Sequence, residues 1–98
     1  MTRVKDIFEL LNSFAPVDLK IPEDNVGLLV GDGESAVTKI IVTLDITKEV
    51  IAEAAEKHAE LIVAHHPMPH EGLKRIVADD LDGDKVRALI LNGISSIS

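Results

Sequence analysis

Leu61-Ile62-Val63-Ala64-His65-His66-Pro67 reads as a buried strand that carries two imidazoles to its carboxyl end. Four apolar residues run straight into the histidines. Pro67 then stops a regular strand, because it has no backbone donor and restrains the residue before it. Ligands of open α/β sheets gather in the crevice at the carboxyl ends of the strands. Imidazole is the commonest protein metal ligand and a frequent proton carrier near neutral pH. Neighbours in a regular strand point to opposite faces, so both rings serve one site only where the backbone bends, as Pro67 favours. The same pair also fits an exposed loop, or rings bonded to backbone groups.

Upstream, Ile40-Ile41-Val42-Thr43-Leu44 is a second apolar run, expected to be a strand buried on both faces. Asp45 follows at its carboxyl end. Thr47 is placed to cap a helix whose Val50, Ile51, Ala54 and Ala55 share a face. Glu49 and Glu53 lie in its early turns, where the helix dipole favours acids, and the helix should stop near His58. Strand, helix and strand make a βαβ unit, which brings Asp45 and His65-His66 to one sheet edge. A carboxylate beside two imidazoles suits zinc, manganese or iron. Asp45 equally suits a role in the turn before the helix.

Nearer the amino end, Val4, Ile7, Phe8, Leu11 and Phe14 recur at helical steps, with Thr2 as the expected cap and Pro16 as the stop. Asp24-Asn25 is turn chemistry, and Gly27 permits close backbone approach. A short strand to Val30 and a second from Val37 to Leu44, broken by Gly31-Asp32-Gly33, predict a hairpin with a long loop. Those glycines lack the spacing of a dinucleotide fingerprint. Downstream, Met68-Pro69 places His70 and Glu71 in a loop near the histidine pair. Asp79, Asp80, Asp82 and Asp84 lack the ligand periodicity of a calcium loop. They read as a solvated turn in which Asp82 or Asp84 caps a last helix with Val86, Leu89 and Ile90 inward. Asn92-Gly93 fits its C-cap, and Ile94 to Ile97 a final strand.

The chain has 98 residues, room for one domain, and 46% of them are hydrophobic, enough for a core. Only Phe8 and Phe14 are aromatic, so the core is aliphatic. Seventeen acids against ten bases give a net charge of −7, which weakens attraction to nucleic acid or anionic membrane. The absence of cysteine rules out disulfides, a thiolate nucleophile and a cysteine zinc site. No apolar run approaches the roughly 20 residues that span a bilayer, and the first residues lack a signal-peptide core. The expected address is cytoplasmic.

Four stretches carry a resemblance: Asp24-Asn25-Val26-Gly27-Leu28-Leu29-Val30-Gly31, Thr43-Leu44-Asp45-Ile46-Thr47, His65-His66-Pro67 with Gly72-Leu73-Lys74, and Asn92-Gly93-Ile94. In this order and spacing the chain resembles the Nif-three-like dinuclear-metal proteins, also labelled GTP cyclohydrolase I type 2 homologues. The resemblance implies a layered α/β fold with a mixed sheet, residues 1–98 being the N-terminal part of the domain. It also implies a ring-shaped homo-oligomer and two divalent metal ions, zinc, manganese or iron, in a cleft. His65 and His66 match the paired histidines that ligate metal in the family. Asp24, Asn25 and Asp45 match motif positions near the cleft, and His70, where the family has an apolar residue, is a candidate extra ligand. The implied activity is metal-dependent hydrolysis of a nucleotide- or phosphate-like substrate. The alternative is a non-catalytic oligomeric module with a structural or regulatory metal. The family's further ligands, an aspartate after a His-Thr motif and a later His-x-x-x-Glu pair, would lie beyond Ser98. These residues alone are therefore expected to bind metal weakly.

Overall fold

The run Leu61–Ala64 forms an inner strand, in register with Ile40–Thr43 on one side and with Ser95, Ser96 and Ile97 on the other. The computed structural model describes residues 1–14, 26–69 and 72–98. The elements run α1 (Val4–Phe14), β1 (Leu28–Val30), β2 (Ile40–Thr43), α2 (Lys48–Glu56), β3 (Leu61–Ala64), α3 (Leu81–Leu91) and β4 (Ser95–Ile97). The four strands make one sheet in the order β1-β4-β3-β2. β2, β3 and β4 are parallel and β1 is antiparallel to β4, so the sheet is mixed. The motifs at Asp24-Asn25 and His70-Glu71 lie outside the described residues.

Two apolar clusters sandwich the sheet. On one side Ile51 and Ala54 of α2 and Val86 and Leu89 of α3 pack with Val30, Ile62 and Ile94. On the other, Val4, Ile7, Phe8 and Leu11 of α1 pack with Leu28, Leu61, Val63 and Ile97. Full burial of a side chain such as Ile62 or Leu89 stabilises by about 1.5–3 kcal/mol. Leu61, Ile62 and Leu89 are all inaccessible to solvent.

The βαβ unit forms as its pattern predicts. β2 and β3 pair from Ile40↔Leu61 to Thr43↔Ala64, and Thr47 caps α2 by accepting from the Val50 amide at 3.1 Å. The predicted hairpin does not form. β1 and β2 sit at opposite edges of the sheet, because β3 and β4 take the positions between them. Val37, read as part of the second strand, pairs instead with the amino-terminal arm: its amide donates to the Thr2 carbonyl at 2.8 Å, beside an Arg3↔Ala36 bridge. As an edge strand, β2 is half-buried on the face of Ile41 and Thr43 and open on the other, with Val42 78% exposed.

The helix starts differ from expectation in an instructive way. Thr2 does not cap α1, since its carbonyl is taken by Val37. The Asp6 carboxylate instead reaches back to the Arg3 amide at 2.8 Å. Asp80, rather than Asp82 or Asp84, caps α3, accepting from the Gly83 amide at 2.8 Å. Val86 and Leu89 face inward as predicted but Ile90 is exposed. Asn92 is the C-cap, and Gly93 follows at φ 65°.

At the amino ends of β2 and β3, the Glu60 carboxylate accepts from the Thr38 amide at 2.8 Å and the Lys39 amide at 3.0 Å. The amide bonds, that from Thr38 foremost, hold the Glu60 carboxyl below its ordinary value of 4.5. A depressed folded-state pKa stabilises the fold above the unfolded value, and the contribution disappears as pH falls through the folded value. Glu60→Gln is therefore expected to cost about 1 kcal/mol at pH 7. The gap between the two proteins in urea melts should close progressively below pH 4.5. A gap independent of pH would separate this carboxylate from the effect.

Candidate functional site

Because β2 and β3 run parallel in register, the chain leaves both at the same edge. The ladder continues for two residues beyond β3: the His65 amide donates to the Thr43 carbonyl at 3.1 Å and the His66 amide to the Leu44 carbonyl at 2.9 Å. The backbone bends at these positions. That bend brings adjacent rings to one side, with centroids 4.9 Å apart and planes inclined at 57°.

Asp45 meets them across the strand ends. Its Oδ1 lies 2.7 Å from Nδ1 of His66. The segment carrying each group is anchored by buried side chains: Ile46 follows Asp45, while Ala64 and Met68 bracket the histidines. The Thr43 hydroxyl donates to the Asp45 carbonyl at 3.0 Å and fixes the turn. The result is an exposed polar group on buried supports, with side chains of His66 and Asp45 57% and 63% accessible.

The structure thus brings together three of the sequence candidates, His65, His66 and Asp45. Asp24, Asn25 and His70 lie outside the described residues. Among the described residues, no group of three or more His, Cys, Asp or Glu side chains is arranged to hold a metal ion. The donors here fit a divalent transition metal in kind, two imidazoles with a carboxylate behind one of them, but not in number.

One group near this edge was not legible in the sequence. Asp84 accepts from Lys48 Nζ at 2.9 Å and from Arg87 at 2.9 Å, joining the first turn of α2 to that of α3. Lys48, then Arg87, holds the Asp84 carboxyl below its ordinary range. Opposite charges 36 residues apart in sequence carry no pairing signal, so the contact emerges only from the packing of the two helices.

Residues 2–98 match the family described as Duf34/NIF3 (NGG1p interacting factor 3). The chain belongs to that family. A Clostridium perfringens GTP cyclohydrolase 1 type 2 homolog is 47% identical over 96 residues, which are 98% of this chain and 37% of the relative. The crystal structure of Staphylococcus aureus protein SA1388 superposes with a TM-score of 0.93 at 36% identity, over 99% of this chain and 31% of that one. A Bacillus cereus protein related to NIF3 gives 0.90 at 32% identity, over 98% and 26%. This Duf34/NIF3 chain therefore spans only about a third of the length of such relatives. Its mixed sheet and flanking helices are a part of the family's α/β architecture. No helix among the described residues is long and apolar enough to cross a membrane.

Proposed function

We propose that residues 1–98 act as the N-terminal part of a Nif-three-like domain whose complete form is a metal-dependent hydrolase of a nucleotide- or phosphate-like substrate. His65 and His66 would hold divalent metal, and further ligands would come from outside the described residues. One observation carries the proposal: two exposed imidazoles and a carboxylate converge at the carboxyl edge of parallel strands, with Asp45 2.7 Å from His66. The relative's name, GTP cyclohydrolase 1 type 2 homolog, supports the substrate class. Two zinc, manganese or iron ions in the complete domain would supply polarisation of a substrate oxygen and activation of water. This chain's own contribution is to bind and orient. His65 and His66 offer ring nitrogens, and buried Ile46, Ala64 and Met68 hold the backbone that presents them. Asp24, Asn25 and His70 remain candidates for the same cleft. The proposed address is the cytoplasm.

Zinc titration followed by calorimetry tests the proposal on the 98-residue chain and on a His65→Ala, His66→Ala variant. Weak binding in the parent and at least a tenfold loss in the variant are expected. Equal affinity in the two proteins, or no binding by the parent at millimolar zinc, counts against the pair.

A second reading is an oligomeric binding or scaffold module whose metal is structural or regulatory. The observation that favours it is the outer face of β2, where Ile40, Val42 and Leu44 are 40%, 78% and 66% exposed. An apolar edge strand of this kind invites pairing with a second copy, the smallest step toward the ring that the family resemblance implies. Sedimentation velocity is expected to show self-association that Val42→Lys abolishes and the double histidine variant leaves intact. A monomeric parent removes this reading. Association lost only on chelation makes the metal structural.

A further inference from the structure

We infer that Asp45 is a positioning residue: it fixes His66 as the Nδ1–H tautomer, so that Nε2 is the nitrogen offered to a metal and the two adjacent histidines are unequal. The inference rests on reading His66 as a ligand and deepens that reading.

An ionised carboxylate only accepts, whereas a neutral imidazole has one N–H donor and one bare acceptor nitrogen. At 2.7 Å, a bare Nδ1 facing Asp45 Oδ1 would set two lone pairs against each other. Between an ionised carboxylate and a neutral ring, a bond this short places the ring proton on Nδ1. Nε2 of the neutral ring is then bare, on a side chain that is 57% accessible. In metal sites a ligating histidine characteristically donates its other ring N–H to such an acceptor. This arrangement fixes the tautomer and raises the basicity of the ligand nitrogen.

The pair is prepared by the fold. The His66 amide is committed to the Leu44 carbonyl at 2.9 Å, and the Asp45 carbonyl to the Thr43 hydroxyl at 3.0 Å. Ile46 next to Asp45 is 2% exposed, so neither partner drifts far from the other. His65 stands one residue away without an equivalent: among the described residues its ring contacts the His66 ring and accepts or donates no side-chain hydrogen bond. Among the described residues, His66 is thereby the pre-oriented donor of the pair.

A merely structural role predicts something else. An exposed side-chain hydrogen bond contributes little to stability, and removing one would shift the melt slightly and nothing more. The distinguishing measurement is the ring nitrogen spectrum of the metal-free, ¹⁵N-labelled protein at a pH where imidazole is neutral. It should show His66 as Nδ1–H in the parent. In Asp45→Ala, His66 should lose that preference while His65 keeps its signals. Asp45→Asn, which retains an acceptor oxygen, should restore the tautomer in part. Zinc titration of the same proteins should then show a loss of about tenfold in Asp45→Ala, with the thermal midpoint nearly unchanged. His66 found as Nε2–H in the parent, a tautomer indifferent to Asp45, or zinc affinity unchanged by Asp45→Ala each overturns the inference. A parent with the Nδ1–H signature that binds no zinc separates the outcomes: the metal reading falls and the tautomer assignment stands alone, without a positioning role.

Discussion

Gly31→Ala is expected to abolish cooperative folding. Gly31 has φ 112°, a region that L side chains rarely adopt, at a cost of about 1–3 kcal/mol. A Cβ there would overlap Oγ and Cβ of Ser95 and lie 2.8 Å from the Ser95 Cα. Rotating the serine would move Oγ away but not its backbone, which is fixed in β4 between β1 and β3. Overpacking of this kind adds about 1–3 kcal/mol or more. Together the two effects, about 2–6 kcal/mol, reach the lower end of the stability of a small domain, about 5–15 kcal/mol, where a chain of this size is expected to lie. Gly33→Ala is the control: its Cβ would meet Lys5 Cβ at 3.4 Å, and its backbone is not in the left-handed region. It should stay within about 0.5 kcal/mol of the parent. Gly31→Ala combined with Ser95→Gly removes the Oγ and Cβ overlaps only, so partial recovery of a urea transition is expected. Full recovery would mean that the backbone angle costs nothing, and a single Gly31→Ala variant as stable as the parent would refute the close approach altogether.

The same glycine shows where sequence reading succeeds and where it stops. Gly31 was read as a strand breaker, which it is, yet what demands it is a serine 64 residues later. The apolar runs at 40–44 and 61–64 and the 3.6-residue pattern between them identify a βαβ unit because each signal is local. Strand neighbours are not local. Val30 and Val37 are close in sequence and invite a hairpin, but β4 arrives last and pairs with both β1 and β3. The exposure of Val42 was unreadable for a related reason: an edge strand and a central one can share the same residues, and only the sheet order distinguishes them. At the site, topology foretold that Asp45 and the histidines would share an edge. It could not say which imidazole Asp45 would meet, since that depends on rotamers and on the bend after Ala64. Among the acids at 79–84 the cap was expected at Asp82 or Asp84 and falls at Asp80, because capping and the pairing of Asp84 with Lys48 depend on where α3 begins.

Gly83→Ala should destabilise the fold by about 2 kcal/mol, although it lies in the first turn of α3, where alanine is ordinarily the better residue. The intrinsic preference for alanine in a helix interior is about 1 kcal/mol. Against it stands a close approach. A Cβ on Gly83 would run into the Arg75 carbonyl oxygen and lie 3.0 Å from the Ile76 Cα and 2.9 Å from Asp80 Oδ2. Two of these neighbours are backbone, so relief requires moving the segment itself, at about 1–3 kcal/mol or more. The Asp80 contact adds to this, since displacing that carboxylate loosens the cap bond it receives from the Gly83 amide. Overlap and cap loss together outweigh the propensity gain. Ala52→Gly, at an exposed position in α2, calibrates the comparison and should cost about 1 kcal/mol from propensity alone. Thermal denaturation of both variants gives the answer, with an expected fall of roughly 10 °C in the midpoint for Gly83→Ala. A gain in stability would show that residues 75–76 do not rest on α3. The outcome therefore weighs two local effects against each other, helix propensity at the third residue of α3 and the seat of the Arg75-Ile76 backbone on that residue.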